Sequence, residues 1–158
     1  FGLRNSHLLA VAPAGSISLL AGNVSSGLEP IFAARYSRAV RVGARQETLE
    51  ADDYACRLAL SLHPGQPLPQ TCLALAQVAP RAQLEMQAAL QRHVDNAISK
   101  TVSVPQDIAF ADFADLYRLA YELGLKGCTV FRPNSPRGQV LSVAGCNGAD
   151  VQACEAES

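Results

Sequence analysis

Residues 8–18 read LLAVAPAGSIS, an apolar run that ends in a turn containing proline, glycine and serine. The run Leu8–Ala12, bounded by polar residues and by Pro13, predicts a buried strand. Gly15 has no side chain, so a ligand can approach the backbone closely there. If a helix begins at this turn, its free N–H groups and positive end favour an anion such as a phosphate. A serine-capped helix start has the same appearance, and no lysine follows the glycine as it would in a Walker A loop.

Outward from this turn, helix and strand patterns alternate along the chain. The predicted strands, the first of which could be two, lie at residues 31–42, 99–104, 127–131 and 139–143. The predicted helices lie at residues 49–62, 81–98 and 113–123. Four apolar residues are predicted to line one face of the second helix: Met86, Leu90, Val94 and Ile98. This alternation predicts an α/β fold in which crossover helices bring the strands together.

Composition and charge limit the classes of partner. Hydrophobic residues make up 49% of the chain, and 13 Lys+Arg against 14 Asp+Glu give a net charge of −1. That balance gives no electrostatic reason to expect nucleic acid or an anionic membrane as the main partner. No apolar stretch approaches the roughly 20 residues that cross a bilayer, so we predict a soluble, cytoplasmic protein.

The first residue of the chain predicts that it comes from a longer protein. The chain has 158 residues, begins at Phe1 and contains one methionine, Met86. A primary translation product begins with methionine, so we expect a chain that has been trimmed, processed or cut from something longer. The length alone suits one domain with a core of its own.

The cysteines and histidines do not predict a metal site. The five cysteines contain no C-x-x-C pair, and the three histidines form no H-x-x-x-H pair. A disulfide scaffold is not expected either, because a chain this long and apolar does not need one.

Isolated polar residues leave several interpretations open. Glu29, which precedes Pro30, could be a buried carboxylate or an acid on a loop, whereas Asp95 is most simply a solvated acid. Cys128 lies in a predicted strand, where a free cysteine usually packs as a small hydrophobe. No Ser/His/Asp set or carboxylate pair can be assembled from sequence order. Residue patterns alone therefore do not decide the function.

Several segments, taken in order, resemble the C-terminal part of the catalytic chain of ribonucleotide reductases, and most closely the adenosylcobalamin-dependent (class II) enzymes. The matching segments, which cover most of residues 1 to about 142, are RNSHL (4–8), APAGSISL (12–19), GNVSSGLEP (22–30), MQAALQ (86–91), VDNAISKT (94–101), VP (104–105), DLY (115–117), LAYELGLKGCT (119–129) and FRPN (131–134). The resemblance implies part of a ten-stranded α/β barrel that is incomplete on its own. It assigns residues 1–143 to the barrel domain, whereas the Gly, Asn, Asp, Glu and Ser composition of residues 144–158 predicts a flexible tail.

The resemblance also implies a site for the substrate. The loop that holds the di- or triphosphate of a ribonucleotide would consist of Pro13, Ala14, Gly15, Ser16, Ile17 and Ser18. The family usually carries threonine where this chain has Ala14, so one hydroxyl contact is absent here. The sequence leaves open whether the substrate is a diphosphate or a triphosphate.

The implied chemistry is reduction of the ribose by a thiyl radical on a cysteine upstream of the matched region. No residue of this chain matches that cysteine's Asn-x-Cys-x-Glu loop, so we expect no catalytic residue here and no activity in the isolated 158 residues. Thr129 and Val130 stand where a Tyr-Tyr pair imports the radical in other reductases, which favours adenosylcobalamin as the cofactor. Cys146 and Cys154 are either the family's C-terminal redox cysteines or ordinary tail cysteines.

Two other classes of function stay open. A non-catalytic module could retain the phosphate loop or serve as a protein-interaction surface. A structural piece could pair with another chain or form a homo-oligomer, because an incomplete barrel exposes strand edges and apolar faces. In the enzyme interpretation, the partners are a ribonucleoside di- or triphosphate and the upstream part of the same enzyme.

Overall fold

The structure is a computed structural model that describes Gly2, residues 4–70, Cys72, residues 74–132 and residues 141–142. Its elements in chain order are α1 (Gly15–Leu20), β1 (Arg35–Val42), β2 (Arg45–Asp52), α2 (Tyr54–Leu62), a 3₁₀ turn (Leu75–Gln77), α3 (Pro80–Gln91), β3 (Thr101–Ser103), α4 (Phe110–Glu122), β4 (Thr129–Phe131) and β5 (Leu141–Ser142). Within the described residues, no helix combines the length and apolar character needed to cross a bilayer.

The chain divides into two compact units. The first unit comprises Phe1–Gly15, Ser26–Glu29 and Val78–Pro133. The second unit comprises Ser16–Ser25, Pro30–Gln77 and Asn134–Ser158. The boundary between Gly15 and Ser16 falls inside the predicted phosphate loop, so the two halves of that loop belong to different units.

The first unit is a β-α-β arrangement with an additional helix. Strands β3 and β4 pair in parallel, with Thr101 opposite Thr129 and Ser103 opposite Phe131, and α4 connects them. The buried core consists of Leu84, Val102, Val104 and Ala120. Parallel strands require a crossover connection, and an amphipathic helix supplies one here. The predicted α/β class and the crossover helix are confirmed.

Helix α4 agrees with its sequence pattern. The pattern predicted a helix over residues 113–123, and the helix spans Phe110–Glu122. Gly124 follows with a φ of 73°, and its N–H donates to the Tyr121 carbonyl at 3.0 Å. Glycine adopts this left-handed conformation without the steric cost that a Cβ brings, so it ends the helix as predicted.

Helix α3 differs from its prediction in length and in orientation. It ends at Gln91 rather than at Ile98, and Met86 and Leu90 are exposed rather than packed. The inner face carries Gln83, Leu84, Gln87, Ala88 and Gln91. Glutamine can take an inner position where its side-chain N–H groups find backbone acceptors, as those of Gln83, Gln87 and Gln91 do here, although the Oε1 atoms of Gln87 and Gln91 are buried without a partner.

The second unit contains an antiparallel sheet in the order β2-β1-β5. Gly43, with a φ of 63°, occupies the tight turn that pairs Val42 with Arg45 and fixes the register as far as Arg35 and Asp52. In β5, which lies within the strand predicted at residues 139–143, Ser142 pairs with Ser37 of β1.

The helix predicted from Leu49 was wrong over its first residues, because the hairpin register carries β2 as far as Asp52. Helix α2 begins only at Tyr54. Asp53 is its N-cap, and the Asp53 carboxylate accepts a hydrogen bond from the Cys56 N–H at 3.0 Å.

Candidate functional site

The segment that leads into the predicted phosphate loop lies beside the residues that precede β3. Val11 pairs with Ile98 in an isolated parallel bridge, and the Ser99 N–H donates to the Val11 carbonyl at 3.0 Å. The buried strand predicted at Leu8–Ala12 is therefore a single bridge, and Leu8 is 76% exposed. The ladder stops here because Pro13 has no N–H with which to continue it.

Asp95 holds the start of this segment. One oxygen of its carboxylate accepts hydrogen bonds from the Leu8 N–H at 2.8 Å and from the Leu9 N–H at 3.0 Å. These two bonds hold the pKa of the Asp95 carboxyl below its ordinary value. Lys126 donates to the Asp95 backbone carbonyl at 2.5 Å. Asp95 is thus an anchor for residues 8 and 9 rather than a simple solvated acid.

The loop itself is a turn followed by the six-residue helix α1. Ala14 has a φ of 51°, a conformation that is uncommon for a residue with a Cβ. Pro13, Gly15 and Ser16 are exposed, and a Cβ placed on Gly15 would meet no atom within 4 Å. The backbone at Gly15 is therefore open to an approaching group.

The two serines of the loop have different roles. Ser18 is buried, and its hydroxyl donates to the Val24 carbonyl within the second unit. Ser16 is exposed, so its hydroxyl is open to solvent. Among the six residues predicted for the phosphate site, Ser16 is the one whose side-chain hydroxyl can reach an external ligand.

The Glu29 carboxylate replaces the Pro13 carbonyl as the hydrogen-bond acceptor beside β3. In a continued parallel pairing, the Thr101 N–H would donate to the Pro13 carbonyl, two residues beyond Val11. Instead it donates to Glu29 Oε1 at 2.7 Å. A side-chain carboxylate thus satisfies the first N–H of β3 while the chain at Pro13 turns away. Of the two interpretations of Glu29, the structure favours the buried carboxylate over the loop acid, because the carboxylate is paired and partly buried.

Lys100 supplies the charge that balances Glu29. Its side chain is 0% exposed, and its Nζ lies 2.6 Å from Glu29 Oε2 and 3.1 Å from Gln83 Oε1. Nζ also donates to the Thr101 carbonyl. An ammonium has three N–H donors, and these three acceptors satisfy all of them. Burial of a charged group is tolerated when it is paired and hydrogen-bonded in this way.

Gly27 brings the turn at Ser26–Glu29 against the backbone that precedes the loop. Gly27 has a φ of 58°, and a Cβ placed there would lie 2.7 Å from the Ala12 carbonyl oxygen. The Glu29 N–H closes the turn on the Ser26 carbonyl at 3.1 Å. A side chain at position 27 would therefore displace the backbone beside Pro13.

The remaining inner glutamines of α3 donate to backbone carbonyls in the two connections that follow α3 and precede β4. Gln87 Nε2 donates to the Gly127 carbonyl at 2.9 Å. Gln91 Nε2 donates to the Val94 carbonyl at 3.0 Å and to the Asn96 carbonyl at 2.9 Å. Sequence reasoning missed this stripe, although the spacing of residues 83, 87 and 91 places them on one helix face.

Among the described residues, Cys56, Cys72 and Cys128 are free thiols. Burial, reinforced by the neighbouring Cys72 thiol, raises the pKa of Cys56 to about 12. Burial also raises the pKa of Cys128, and the Lys100 ammonium opposes that rise. Cys146 and Cys154 lie outside the described residues. Among the described side chains, no three of His, Cys, Asp or Glu gather as metal ligands.

A family model described as "Ribonucleotide reductase, barrel domain" matches residues 1–131, which is most of the chain. The chain belongs to the ribonucleotide reductase barrel-domain family. This match confirms the predicted family and covers the loop, Glu29 and Lys100.

Two curated relatives in this family are named for vitamin B12. The "Vitamin B12-dependent ribonucleoside-diphosphate reductase" of Mycobacterium tuberculosis (strain ATCC 25618 / H37Rv) is 37% identical over 160 residues, which cover 89% of this chain and 22% of that protein. The protein of the same name from Thermoplasma acidophilum is 32% identical, with 89% of this chain and 20% of that protein covered. The chain thus spans about a fifth of the length of these relatives.

A solved structure supports the same fold. The crystal structure of a B-12 dependent (class II) ribonucleotide reductase superposes with a TM-score of 0.54 at 14% sequence identity. The superposition covers 84% of this chain and 20% of that chain. At this level of identity the likeness concerns the fold, and it agrees with a partial α/β barrel. The assignment of Pro13–Ser18 to substrate phosphate, and the division between residues 143 and 144, stay predictions.

The close approach at Gly27 predicts a large effect of a small substitution. Gly27→Ala should lower the free energy of unfolding by about 2–3 kcal/mol, because it combines a left-handed φ with a backbone clash. Gly124→Ala, which has a similar φ but no atom within 4 Å of the added Cβ, is the matched control and should cost about 1 kcal/mol. Urea unfolding measures both. Equal losses at the two positions would show that the contact with Ala12 does not matter.

The Asp95 anchor predicts a pH response at Leu8 and Leu9. The pKa of Asp95 is lower in the folded chain than its ordinary value of about 3.9. Its contribution is therefore present above that value and is lost as the pH falls through the lower, folded pKa. Amide hydrogen exchange, expressed as protection factors, should show protection of Leu8 and Leu9 at pH 6 that disappears in acid before the protection of β3 does.

Asp95→Asn is the control for this titration. The amide oxygen of asparagine accepts a hydrogen bond but does not titrate, so any protection retained at Leu8 and Leu9 should not change with pH until the unit unfolds. The same acid-dependent loss in the variant would assign the response to another group.

Proposed function

We propose that the protein to which these residues belong reduces ribonucleotides to deoxyribonucleotides, and that this chain supplies the loop for the di- or triphosphate of the substrate. The observation that carries the proposal is the turn at Ala14–Ser16, in which Gly15 and Ser16 are exposed and which lies inside the family match over residues 1–131. The names of the curated relatives, which specify a ribonucleoside-diphosphate reductase, support the nucleotide reduction in this proposal.

The loop would hold the phosphate mainly through its backbone. The first N–H groups of a helix have no acceptor within the helix, and here they begin at the exposed Gly15. The Ser16 hydroxyl adds a further donor, whereas the Ser18 hydroxyl is already bonded to Val24. Ala14 contributes no hydroxyl but leaves the backbone donors intact. A phosphate held in this way fixes the far end of the substrate and so limits the positions of the ribose.

We assign the radical chemistry to the rest of the protein. In the proposed reaction adenosylcobalamin supplies the radical, in keeping with the vitamin B12 dependence named for the relatives. Thr129 and Val130 have side chains that cannot carry a radical. We expect this chain to contribute at most part of the binding site for that cofactor. Cys146 and Cys154 are proposed as an electron relay in the tail.

The partners and location follow from this function. The loop needs a ribose-binding and radical-generating region, which we assign to the upstream part of the same enzyme. We place the enzyme in the cytoplasm. A homo-oligomer is compatible with the exposed apolar side chains of α1 and α2, such as Leu20 and Leu62.

The test is an assay of the intact protein with a ribonucleoside diphosphate or triphosphate, with and without adenosylcobalamin. Turnover should require the cofactor, and the 158 residues alone should show none. Ser16→Glu places a negative charge beside the bound phosphate, so KM should rise about tenfold or more, equivalent to ~1.4 kcal/mol, with a smaller change in kcat.

Ser61→Glu is the matched control, because Ser61 is exposed on α2, outside the loop. Its KM should stay within about twofold of the unchanged protein, a shift of ~0.4 kcal/mol. An unchanged KM in Ser16→Glu would reject the loop assignment. Nucleotide binding without any reduction by the intact protein would favour the non-catalytic module.

A further inference from the structure

We infer that Glu29, Lys100 and Gln83 form a buried positioning network that holds Pro13–Gly15, the first half of the proposed phosphate loop, in its binding conformation. The inference rests on the proposed function and deepens it, because it assigns a task to three residues that do not touch the substrate. All three residues lie in the first unit, together with Pro13–Gly15.

Two members of the network, Gln83 and Lys100, are buried and held by several hydrogen bonds. Gln83 lies on α3 with 0% exposure, and its Nε2 donates to the Val78 carbonyl at 2.9 Å while its Oε1 accepts from the Lys100 Nζ. The same Oε1 accepts from the Ser103 N–H of β3 at 3.3 Å. Lys100 is thus held by a helix and a strand that pack in one core, and its ammonium cannot move without losing acceptors.

The third member, Glu29, lies in the turn beside the loop, and its carboxylate reaches Lys100 and the first N–H of β3. Both oxygens of Glu29 are occupied, one by Lys100 at 2.6 Å and the other by the Thr101 N–H at 2.7 Å. Glu29 closes the turn in which Gly27 lies against the Ala12 carbonyl. A fixed Glu29 therefore fixes the turn, and the turn limits where the backbone can run as it enters Pro13.

Stability alone does not account for a buried charge at this place. Replacing a buried ion pair with apolar groups of similar volume is often neutral or stabilising. The Thr101 N–H needs an acceptor, because the chain at Pro13 has turned away and no longer offers its carbonyl. The Glu29 carboxylate is that acceptor, and Lys100 holds the carboxylate in one position. The geometry thus fits a network that positions the loop, and loss of the network should weaken substrate binding more than it destabilises the fold.

The experiment uses the intact protein and the double variant Glu29→Gln/Lys100→Met. It removes both charges together, so no unpaired charge is left buried. We expect KM for the ribonucleotide to rise about tenfold while kcat changes less than about twofold, because a displaced loop loses phosphate hydrogen bonds that are equally strong in the ground and transition states. Thermal unfolding should shift by no more than a few degrees. The single variant Glu29→Gln, which leaves the ammonium without its counter-ion, should show a larger loss of thermal stability than the double variant.

Glu85→Gln is the matched control, because Arg81 and Glu85 form an exposed ion pair on the same helix as Gln83. Its KM should not change. An unchanged KM in the double variant, with or without a loss of thermal stability, would overturn the inference. If Ser16→Glu raises KM and the double variant does not, the network inference alone fails. If neither variant changes KM, the phosphate-loop assignment fails with it.

Discussion

A fully buried ammonium is the constraint around which the first unit is organised. The Lys100 Nζ needs three acceptors and a counter-ion, and it obtains them from Glu29, Gln83 and the backbone of Thr101. These partners come from a turn, a helix and a strand that are far apart in sequence. Once these partners are assembled, the position of the turn at Ser26–Glu29 is fixed. Because Gly27 lies against the Ala12 carbonyl, the turn also fixes the backbone that precedes Pro13. The exposed loop is therefore built on a polar anchor as well as on an apolar core.

The glutamine stripe of α3 extends the same principle. A helix that packs on a short parallel sheet usually does so through apolar side chains, and Leu84 and Ala88 do so here. Gln83, Gln87 and Gln91 instead bind backbone groups where the chain leaves or enters regular structure. Such connections cannot form ladder hydrogen bonds, so their carbonyls need side-chain donors. The stripe lets α3 hold irregular segments in place beside β3 and β4.

The sequence predicted those parts of the fold that depend on local patterns. Helix α4 with Gly124, the short strands β3 and β4, and their crossover connection follow from periodicity and from residues with restricted backbone preferences. Residues 49–52 were wrongly predicted as helix, because a cross-strand register set by the turn at Gly43 overrides their local pattern. The inner face of α3 was wrong because hydrophobic periodicity cannot identify glutamines that find backbone acceptors. At the site, Gly15 and Ser16 marked the loop, but the role of Glu29 depends on Lys100, a contact across 71 residues of sequence.

We propose that this anchor presents the loop backbone to a phosphate, and a crystal structure of the intact protein with a bound ribonucleoside diphosphate tests this proposal most directly. We expect the terminal phosphate oxygens within about 3 Å of backbone N–H groups at Gly15–Ser16, a normal hydrogen-bond distance. In the same structure Glu29 should remain bonded to both Lys100 and the Thr101 N–H. A phosphate bound away from residues 13–18, or a Glu29 carboxylate turned away from Lys100 while the loop keeps its conformation, would contradict the account.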